Sequence, residues 1–386
     1  MPRRARKSPL RHLVWIVPLL ALDFFLFRWL ALRQGGCRLP QAEPAAPETA
    51  VPAPPPPVWQ ALVPPTPQQN LLNPDLPGVL QPTGSGRLES AKFGSTRTGL
   101  RSGRLVPVFH EGVDIAATAR DRKGNPTDPV CAVAAGRVAF VNAVAGNSTY
   151  GKYVVVEHPD PSLGTVAKSD GTEEPAHVYT LYAHLADIRF GIRPGHAVAA
   201  GTVLGTLGYT SSTRPPIPPE RSHLHWEIGV LLNSRFERKG REEKIRPDFG
   251  NYNGGNLFAF DPLDFYAAHM HDSNLTMAAY FAAVPVTGEV VLRGKTPDYF
   301  RRFPALWQGP PHDGGPLCLT LSESGAPLSG RNARAEEIAL LGNQRLAVVK
   351  AYPEVLGRNG RNLIAPDGKK WRFTDKGRQW ADILFY

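Results

Sequence analysis

Short apolar runs rich in valine and aromatic residues occupy the middle of the chain, and glycine clusters separate them. Such runs are typical of strands, and no stretch between residues 93 and 230 has the period of a long amphipathic helix. The sequence therefore predicts a mainly β domain with an antiparallel sheet. Its predicted strands are residues 130–141, 153–158, 177–183, 203–208 and 223–230.

Three of the predicted loops are long. They cover residues 118–128, 159–175 and 211–222, and the last contains a run of prolines. Proline-fixed loops on a rigid sheet are where proteins commonly build a binding site. We therefore expect an open cleft bordered by these loops.

The pattern changes after residue 260. Residues 262–271 are predicted to form a helix, with Asp261 as its cap and Pro262 in its first turn. Residues 332–351 are predicted as a second helix, and residues 289–293 as a strand between the two. Residues 261–386 are thus predicted to be a small α+β appendage of unknown role. Three roles stay open for it: it could bind the cell wall, bind a protein partner, or simply cover the sheet.

The amino-terminal part has the pattern of a targeting segment followed by a linker. Residues 1–12 form a basic flank, and residues 13–32 form an apolar run of about 20 residues, enough to cross a hydrocarbon core of about 30 Å as a helix. The positive flank predicts a cytoplasmic amino terminus and an exported body. Residues 33–83 are predicted to be a linker, because 14 prolines fall between Pro40 and Pro82, a density that helices and central strands do not tolerate.

Two other interpretations of this segment stay open. The apolar run, which Asp23 and Arg28 interrupt, could be a cleaved signal peptide, or Cys37 could carry a lipid. All three interpretations export the body of the protein. It would be periplasmic and anchored to the inner membrane, or secreted if the segment is removed.

Charge and cysteine content exclude several classes of site. Of the net charge of +10, residues 1–38 carry +7, with eight basic residues against one acidic, so the remainder carries only +3. No basic patch, zinc-finger spacing or aromatic RNA-binding motif is present, which argues against a nucleic-acid partner. The cysteines, Cys37, Cys131 and Cys318, form no CxxC pair and predict no thiolate metal site. A disulfide between Cys131 and Cys318 stays open.

Histidines in three separate segments carry the candidate chemistry. His223 and His225 are two apart in a predicted strand, so both imidazoles project from the same face. His110 lies four residues before Asp114, and His184 ends a predicted strand. Imidazole and carboxylate ligands without a thiol suit zinc, and a catalytic zinc typically keeps three protein ligands. The helical HExxH motif is excluded, because position 114 is an aspartate.

Six motifs in this order resemble those of the lysostaphin and LytM type zinc metallopeptidases, which cut peptidoglycan cross-links. The resemblance runs from about residue 93 to residue 232. The motifs are His110-Glu111-Gly112-Val113-Asp114, residues 129–138, residues 150–158, Leu181-Tyr182-Ala183-His184-Leu185, Gly201-Thr202-Val203-Leu204-Gly205 and His223-Leu224-His225-Trp226-Glu227-Ile228.

The resemblance implies a LytM-like peptidase domain over residues 84–260 that holds one zinc ion. By position, His110, Asp114 and His225 match the metal ligands. His184 and His223 match the two catalytic histidines that orient and deprotonate the water and steady the tetrahedral intermediate. The implied activity is hydrolysis of peptide cross-links in peptidoglycan by a zinc-activated water.

Two rival functions are weighed against this one. A catalytically silent LytM-like module would bind and activate another wall hydrolase, but such modules characteristically lack the zinc ligands, and here all three are present. A metallopeptidase of the same fold could instead cut a protein. The proline-rich loop at residues 211–222 is longer than the glycine-rich turn usual in the family, so the resemblance does not predict which bond is cut.

Overall fold

The computed structural model describes residues 58–101, 104–168, 170–356 and 360–386. The chain divides into two units, Met1–Pro55 and Pro56–Tyr386, and the described residues all belong to the second. The predicted basic flank, the apolar span at residues 13–32, Cys37 and the first part of the linker lie outside the described residues. In the part of the chain that is described, no helix is both long enough and apolar enough to cross a bilayer.

Strands outnumber helices in this unit. The strands are β1 (Thr96–Arg101), β2 (Arg104–Phe109), β3 (Val113–Ala116), β4 (Pro129–Cys131), β5 (Gly136–Asn142), β6 (Tyr153–Ala167), β7 (Glu173–Ala183), β8 (Asp187–Ile188), β9 (Ala197–Val198), β10 (Val203–Thr206), β11 (His223–Leu231), β12 (Leu257–Phe260), β13 (Gly288–Leu292), β14 (Leu317–Leu321), β15 (Pro327–Asn332), β16 (Leu346–Ala351), β17 (Ile364–Asp367) and β18 (Lys370–Phe373). The helices are α1 (Phe236–Glu242), α2 (Pro262–His271), α3 (Met277–Ala283), α4 (Asp298–Arg302), α5 (Ala335–Leu341), α6 (Pro353–Leu356) and α7 (Asp375–Leu384).

A seven-stranded antiparallel sheet forms the centre, which confirms the predicted fold class. Its strand order is β12-β11-β7-β6-β5-β9. The seventh strand, β3, pairs with the first half of β11, while β12 pairs with the second half. One edge of β11 is therefore shared between the segment that carries Asp114 and the strand that leads into the carboxyl-terminal region.

Both faces of this sheet are covered. Leu224 and Trp226 of β11 pack into one apolar cluster, whereas Tyr179 and Leu181 of β7 pack into another on the opposite face. Every residue of β11 is buried. Polar side chains on such a strand lose their contact with water, so they need partners within the protein.

Two predicted elements differ from the structure near this sheet. The predicted strand 130–141 is divided into β4 and β5 by a bend at residues 133–135. The predicted loop 159–175 is largely a hairpin, because β6 and β7 continue past the sheet and pair Pro159 with His177. A bulge between Asp160 and Thr165 interrupts the register, and bulges are positions where a sheet accepts proline.

The linker predicted over residues 33–83 differs from the structure from residue 58 onward. Residues 58–83, which we call the strap, pack on the body of the protein. Trp59 is 2% exposed, donates its Nε1 hydrogen to Asp160 Oδ2 at 2.7 Å and contacts the ring of Phe265. Further along, Gln81 N donates to Asp114 O at 2.9 Å. A high density of prolines disfavours long helices and central strands, but it does not prevent apolar residues between the prolines from entering a core.

The carboxyl-terminal region combines strands and helices, as predicted. Its sheet has the order β15-β14-β13-β16. Helix α2 begins where the sequence predicts, and the Asp261 side chain accepts a hydrogen bond from Leu263 N at 3.0 Å. The predicted helix at 332–351 is wrong over its second half, where β16 pairs with β13. Gly342 ends the helical part with a φ of 49°, a backbone conformation that favours glycine.

The two described cysteines are not joined. Cys131 and Cys318 are both free thiols. Cys318 is buried in β14, and burial raises the pKa of its thiol to about 12. It therefore behaves as a small apolar core residue.

Candidate metal centre

Strand register brings the predicted ligands together. In the pairing of β11 with β3, His225 lies directly opposite Asp114. On the other side of β11, His225 lies opposite Ala183, the residue before His184. Three segments that are far apart in sequence thus meet at one point of the sheet.

Successive side chains of a strand point to opposite faces, so every second residue of β11 faces this point. His223, His225 and Glu227 alternate with Leu224 and Trp226, which belong to the core on the other face. The ring of His184 lies 4.7 Å from that of His223 and 5.9 Å from that of His225, measured between ring centroids. Both strand histidines therefore share one face, as the sequence predicts.

Three donor atoms from the predicted ligands converge. His110 Nε2 lies 3.1 Å from Asp114 Oδ1 and 3.0 Å from His225 Nδ1. His225 Nδ1 lies 3.0 Å from Asp114 Oδ1. All three residues are buried. Ligands about 2.1 Å from a tetrahedral zinc lie roughly 3.4 Å apart, so the cluster is close to the size that zinc needs.

Hydrogen bonds on the outer side of each ring assign the tautomers. His110 Nδ1 donates to Lys92 O at 2.8 Å, and His225 Nε2 donates to Glu227 Oε1 at 2.9 Å. When both rings are neutral, the inward nitrogens, Nε2 of His110 and Nδ1 of His225, are acceptors, like the Asp114 oxygen between them. Three such acceptors in mutual contact need a positive charge among them, a proton or a metal ion, and the chemistry of these donors fits a zinc ion.

The electrostatics of the cluster agree with this assignment. Burial alone lowers the pKa of His225, but Asp114 and Glu227 outweigh it and raise that pKa to about 9. Without a metal, His225 therefore carries a proton at neutral pH, and a bound zinc ion would replace that positive charge. Burial lowers the pKa of His110 to about 4, which keeps its inward nitrogen available at neutral pH.

Arg97, from the β1–β2 hairpin, holds the second oxygen of Asp114. Its Nη2 donates to Asp114 Oδ2 at 2.5 Å. Although burial raises the pKa of Asp114, Arg97 and His110 more than compensate and hold it well below the usual range. The carboxylate is therefore ionised and fixed, with Oδ1 turned toward the histidines.

The two predicted catalytic histidines show a common arrangement. His184 Nδ1 donates to Thr210 O at 2.8 Å, and His223 Nδ1 donates to Arg221 O at 2.7 Å. In each neutral ring, Nε2 is therefore the unprotonated nitrogen, and that of His223 lies 3.6 Å from Asp114 Oδ2. Burial is the largest influence on both, and it lowers the pKa of each imidazole below its ordinary value. Both rings are neutral at pH 7 and can accept a proton at Nε2.

The backbone at His184 is in the left-handed region, with a φ of 62°. Non-glycine residues rarely adopt this conformation, and such residues cluster at functional sites. The turn places His184 beyond the end of β7, against β11. The sequence gives no sign of this conformation, in which His184 Nδ1 lies 2.8 Å from Thr210 O.

Residues around the ligands were not identified from the sequence. Glu227 accepts hydrogen bonds from His225 and from the hydroxyls of Tyr150 and Tyr179, at 2.7 and 2.8 Å for the two tyrosines. The sequence could have indicated Glu227, because it lies two residues after His225 in the same strand and its side chain therefore points to the same face. Lys92 and Arg97 act from outside the predicted strands, and no local pattern marks them.

A cavity of about 1090 Å³ lies next to Arg97 and Lys92. Its other walls include Phe260, Tyr280 and Ser324. The predicted ligands and the two predicted catalytic histidines do not line it. The histidine and aspartate cluster, and not this cavity, therefore locates the candidate chemistry.

Gly112 allows the ligand segment to approach β11, and its replacement by alanine tests that contact. A Cβ atom there would lie 2.5 Å from Trp226 O and 2.9 Å from the His225 ring. We expect Gly112→Ala to weaken zinc binding and to lower the free energy of unfolding by about 1–3 kcal/mol, as overpacking does. Thermal unfolding and zinc titration measure the two effects.

Gly146→Ala is the matched control, because a Cβ at Gly146 meets no atom within 4 Å. It should leave both quantities unchanged. A Gly112→Ala protein as stable as wild type, with equal zinc affinity, would show that the segment can move away from β11 without cost.

Comparison with known proteins places this site in a family. Residues 108–237 match the sequence model of Peptidase family M23. This segment contains all five of the predicted site residues. No curated protein matches the chain.

Solved structures give distant likenesses. The catalytic domain of lysostaphin from Staphylococcus simulans is 21% identical, with 45% of this chain and 87% of that chain covered and a TM-score of 0.24. The structure of the SpoIIIAH and SpoIIQ complex gives 17% sequence identity and a TM-score of 0.27, and the match covers 53% of this chain and 99% of that chain. A zinc-containing peptidase from Vibrio cholerae is 22% identical in sequence, with a TM-score of 0.21. The match covers 39% of this chain and 36% of that one, so this chain spans about a third of that protein. The match of residues 108–237 to the model of Peptidase family M23 confirms the resemblance to the lysostaphin and LytM type that the sequence motifs show.

Proposed function

We propose that the chain is an exported, zinc-dependent endopeptidase that hydrolyses peptide cross-links of bacterial peptidoglycan. The M23 peptidase domain fits a peptidoglycan hydrolase. The observation that carries the proposal is the convergence of three potential ligand atoms, from His110, Asp114 and His225, at mutual distances of 3.0–3.1 Å. Two further neutral histidines lie beside them.

In this proposal, His110, Asp114 and His225 hold one zinc ion. When bound, zinc supplies Lewis acidity, which polarises an amide carbonyl and makes water a stronger acid. The chain supplies the proton transfers. His184 and His223 each keep Nε2 unprotonated, because Nδ1 donates to a backbone carbonyl, and their rings lie beside the cluster. One can accept the proton of the attacking water, and a histidine protonated in this way can donate to the leaving amine.

The proposed location follows from the amino-terminal sequence. The apolar run at residues 13–32 would anchor the chain in the inner membrane, with the peptidase domain in the periplasm. The proline-rich residues 33–57 would then act as a spacer, at about 3.1 Å per residue where they are extended. Such a spacer would carry the domain toward the wall.

Digestion of purified peptidoglycan tests the activity. The full chain is incubated with peptidoglycan, with and without a zinc chelator, and the released fragments are identified by mass spectrometry. We expect split cross-bridges, with release abolished by the chelator and restored by added zinc. Asp114→Asn provides the matched inactive protein.

Other outcomes favour the rival functions. A folded protein that binds no zinc and releases nothing would support a silent module that activates another hydrolase. Faster turnover of casein than of peptidoglycan would support a protein substrate. Release that the chelator and Asp114→Asn leave unchanged would contradict the proposed chemistry.

A further inference from the structure

We propose that Arg361, which belongs to the carboxyl-terminal region, is a positioning residue of the metal centre. It would act by holding Glu111, the residue next to the ligand His110, inside the protein. This inference rests on the proposed function, because it assumes that His110 binds zinc. It gives the carboxyl-terminal region a role that its sequence does not indicate.

Arg361 lies between α6 and β17 and reaches back to the peptidase domain. Its guanidinium forms an ion pair with Glu111 Oε1. It also donates to Leu257 O at 2.8 Å and lies 4.0 Å from the centre of the Phe258 ring. The side chains of Arg361 and Glu111 are 13% and 16% exposed, so this ion pair is largely removed from water.

Glu111 also belongs to the network behind His225. The hydroxyl of Tyr150 lies 3.3 Å from Glu111 Oε2 and 2.7 Å from Glu227 Oε1. Glu227 in turn accepts the Nε2 hydrogen of His225. Two carboxylates therefore share one tyrosine hydroxyl in a buried place, and Arg361 supplies the positive charge that Glu111 needs there.

Loss of this charge is expected to act through the backbone. Glu111 would lose its ion pair and hydrogen bond with Arg361, so nothing from the carboxyl-terminal region would hold its side chain in place. Because Glu111 lies between His110 and Gly112, its movement would pull the His110 ring away from Asp114 and His225. Residues that orient a metal ligand typically contribute 10- to 100-fold to metal affinity.

The test is a double-mutant cycle with Arg361→Met and Glu111→Gln in the full chain. Methionine keeps a stem over Phe258 and removes the charge. We expect Arg361→Met to weaken zinc binding by roughly tenfold or more, measured by competition with a chelator of known affinity. Glutamine needs no cation, so the double variant should return to within about threefold of wild type. Unfolding temperatures of the proteins without zinc should show the same rescue.

Two variants control the measurement. Arg345→Met removes an exposed ion pair with Asp382 in the same region and should not change zinc affinity. Arg361→Lys keeps the positive charge and should bind zinc better than Arg361→Met does. If the methionine variant does not fold, the lysine variant paired with Glu111→Gln carries the same comparison.

The outcomes separate the inference from the proposed function. If Arg361→Met binds zinc as wild type does, the inference is wrong while the function stands. If the double variant is as weak as Arg361→Met alone, Arg361 acts through Leu257 or Phe258 and the inference is also wrong. If wild type itself binds no zinc, the proposed function fails and the inference fails with it.

Discussion

Replacing His225 by alanine is expected to abolish zinc retention and peptidase activity together. His225 supplies one of three converging donor atoms, and its outer nitrogen is fixed by Glu227. Structural zinc sites bind with about 10–16 kcal/mol, so one donor of several contributes about 3 kcal/mol, on the order of a hundredfold in affinity. Metal analysis after gel filtration and turnover of peptidoglycan measure the two losses.

His271→Ala is the control for this variant, because His271 is an exposed histidine at the end of α2. It should keep both the zinc and the activity. A His225→Ala protein that retains one zinc ion with undiminished affinity would remove His225 from the ligand set.

Replacing His184 or His223 by alanine is expected to leave zinc bound and to reduce turnover. Their Nε2 atoms are proton acceptors beside the cluster, and neither belongs to the group of three mutually close donors. General acid–base groups contribute roughly 10²–10⁴ to the rate, so kcat should fall by that factor. Zinc content and kcat, measured on the same preparations, separate this effect from metal loss.

The division of roles depends on the contrast between neighbouring positions of one strand. His223 and His225 are both buried on the same face, and only their partners differ. If His223→Ala loses zinc as readily as His225→Ala, the assignment of roles fails. If both His184→Ala and His223→Ala keep full activity, neither is the proton acceptor.

The sheet could be predicted because its strands alternate or are continuously apolar, and Asp261 before Pro262 marked the start of α2. Two other predictions were wrong because contacts between distant segments outweighed the local sequence pattern. At residues 332–351, a helical pattern continues into β16, whose place is set by pairing with β13. At Trp59, proline content suggested a linker, but a single large side chain in contact with Phe265 decided the outcome.

The site was predicted to the extent that its residues lie in local motifs. His110 with Asp114, and His223 with His225, are each within four residues of one another. Arg97 and Arg361 contribute charges from segments with no motif, because their partners are brought close by the hairpin and by the carboxyl-terminal region. The pattern of a single sequence predicts local geometry, and it does not predict ion pairs between residues that are far apart in the chain.

The strap has a consequence for how a recombinant fragment is chosen. A fragment that begins at Gly84, where the strand-rich pattern starts, would lack Trp59, and the buried Asp160 oxygen that accepts its hydrogen would lose that partner. It would also lack the Gln81 N–H that binds the backbone of Asp114. Expression of the peptidase-bearing part should therefore begin ahead of Val58, and a shorter product with low zinc content would reflect where it was cut rather than its chemistry.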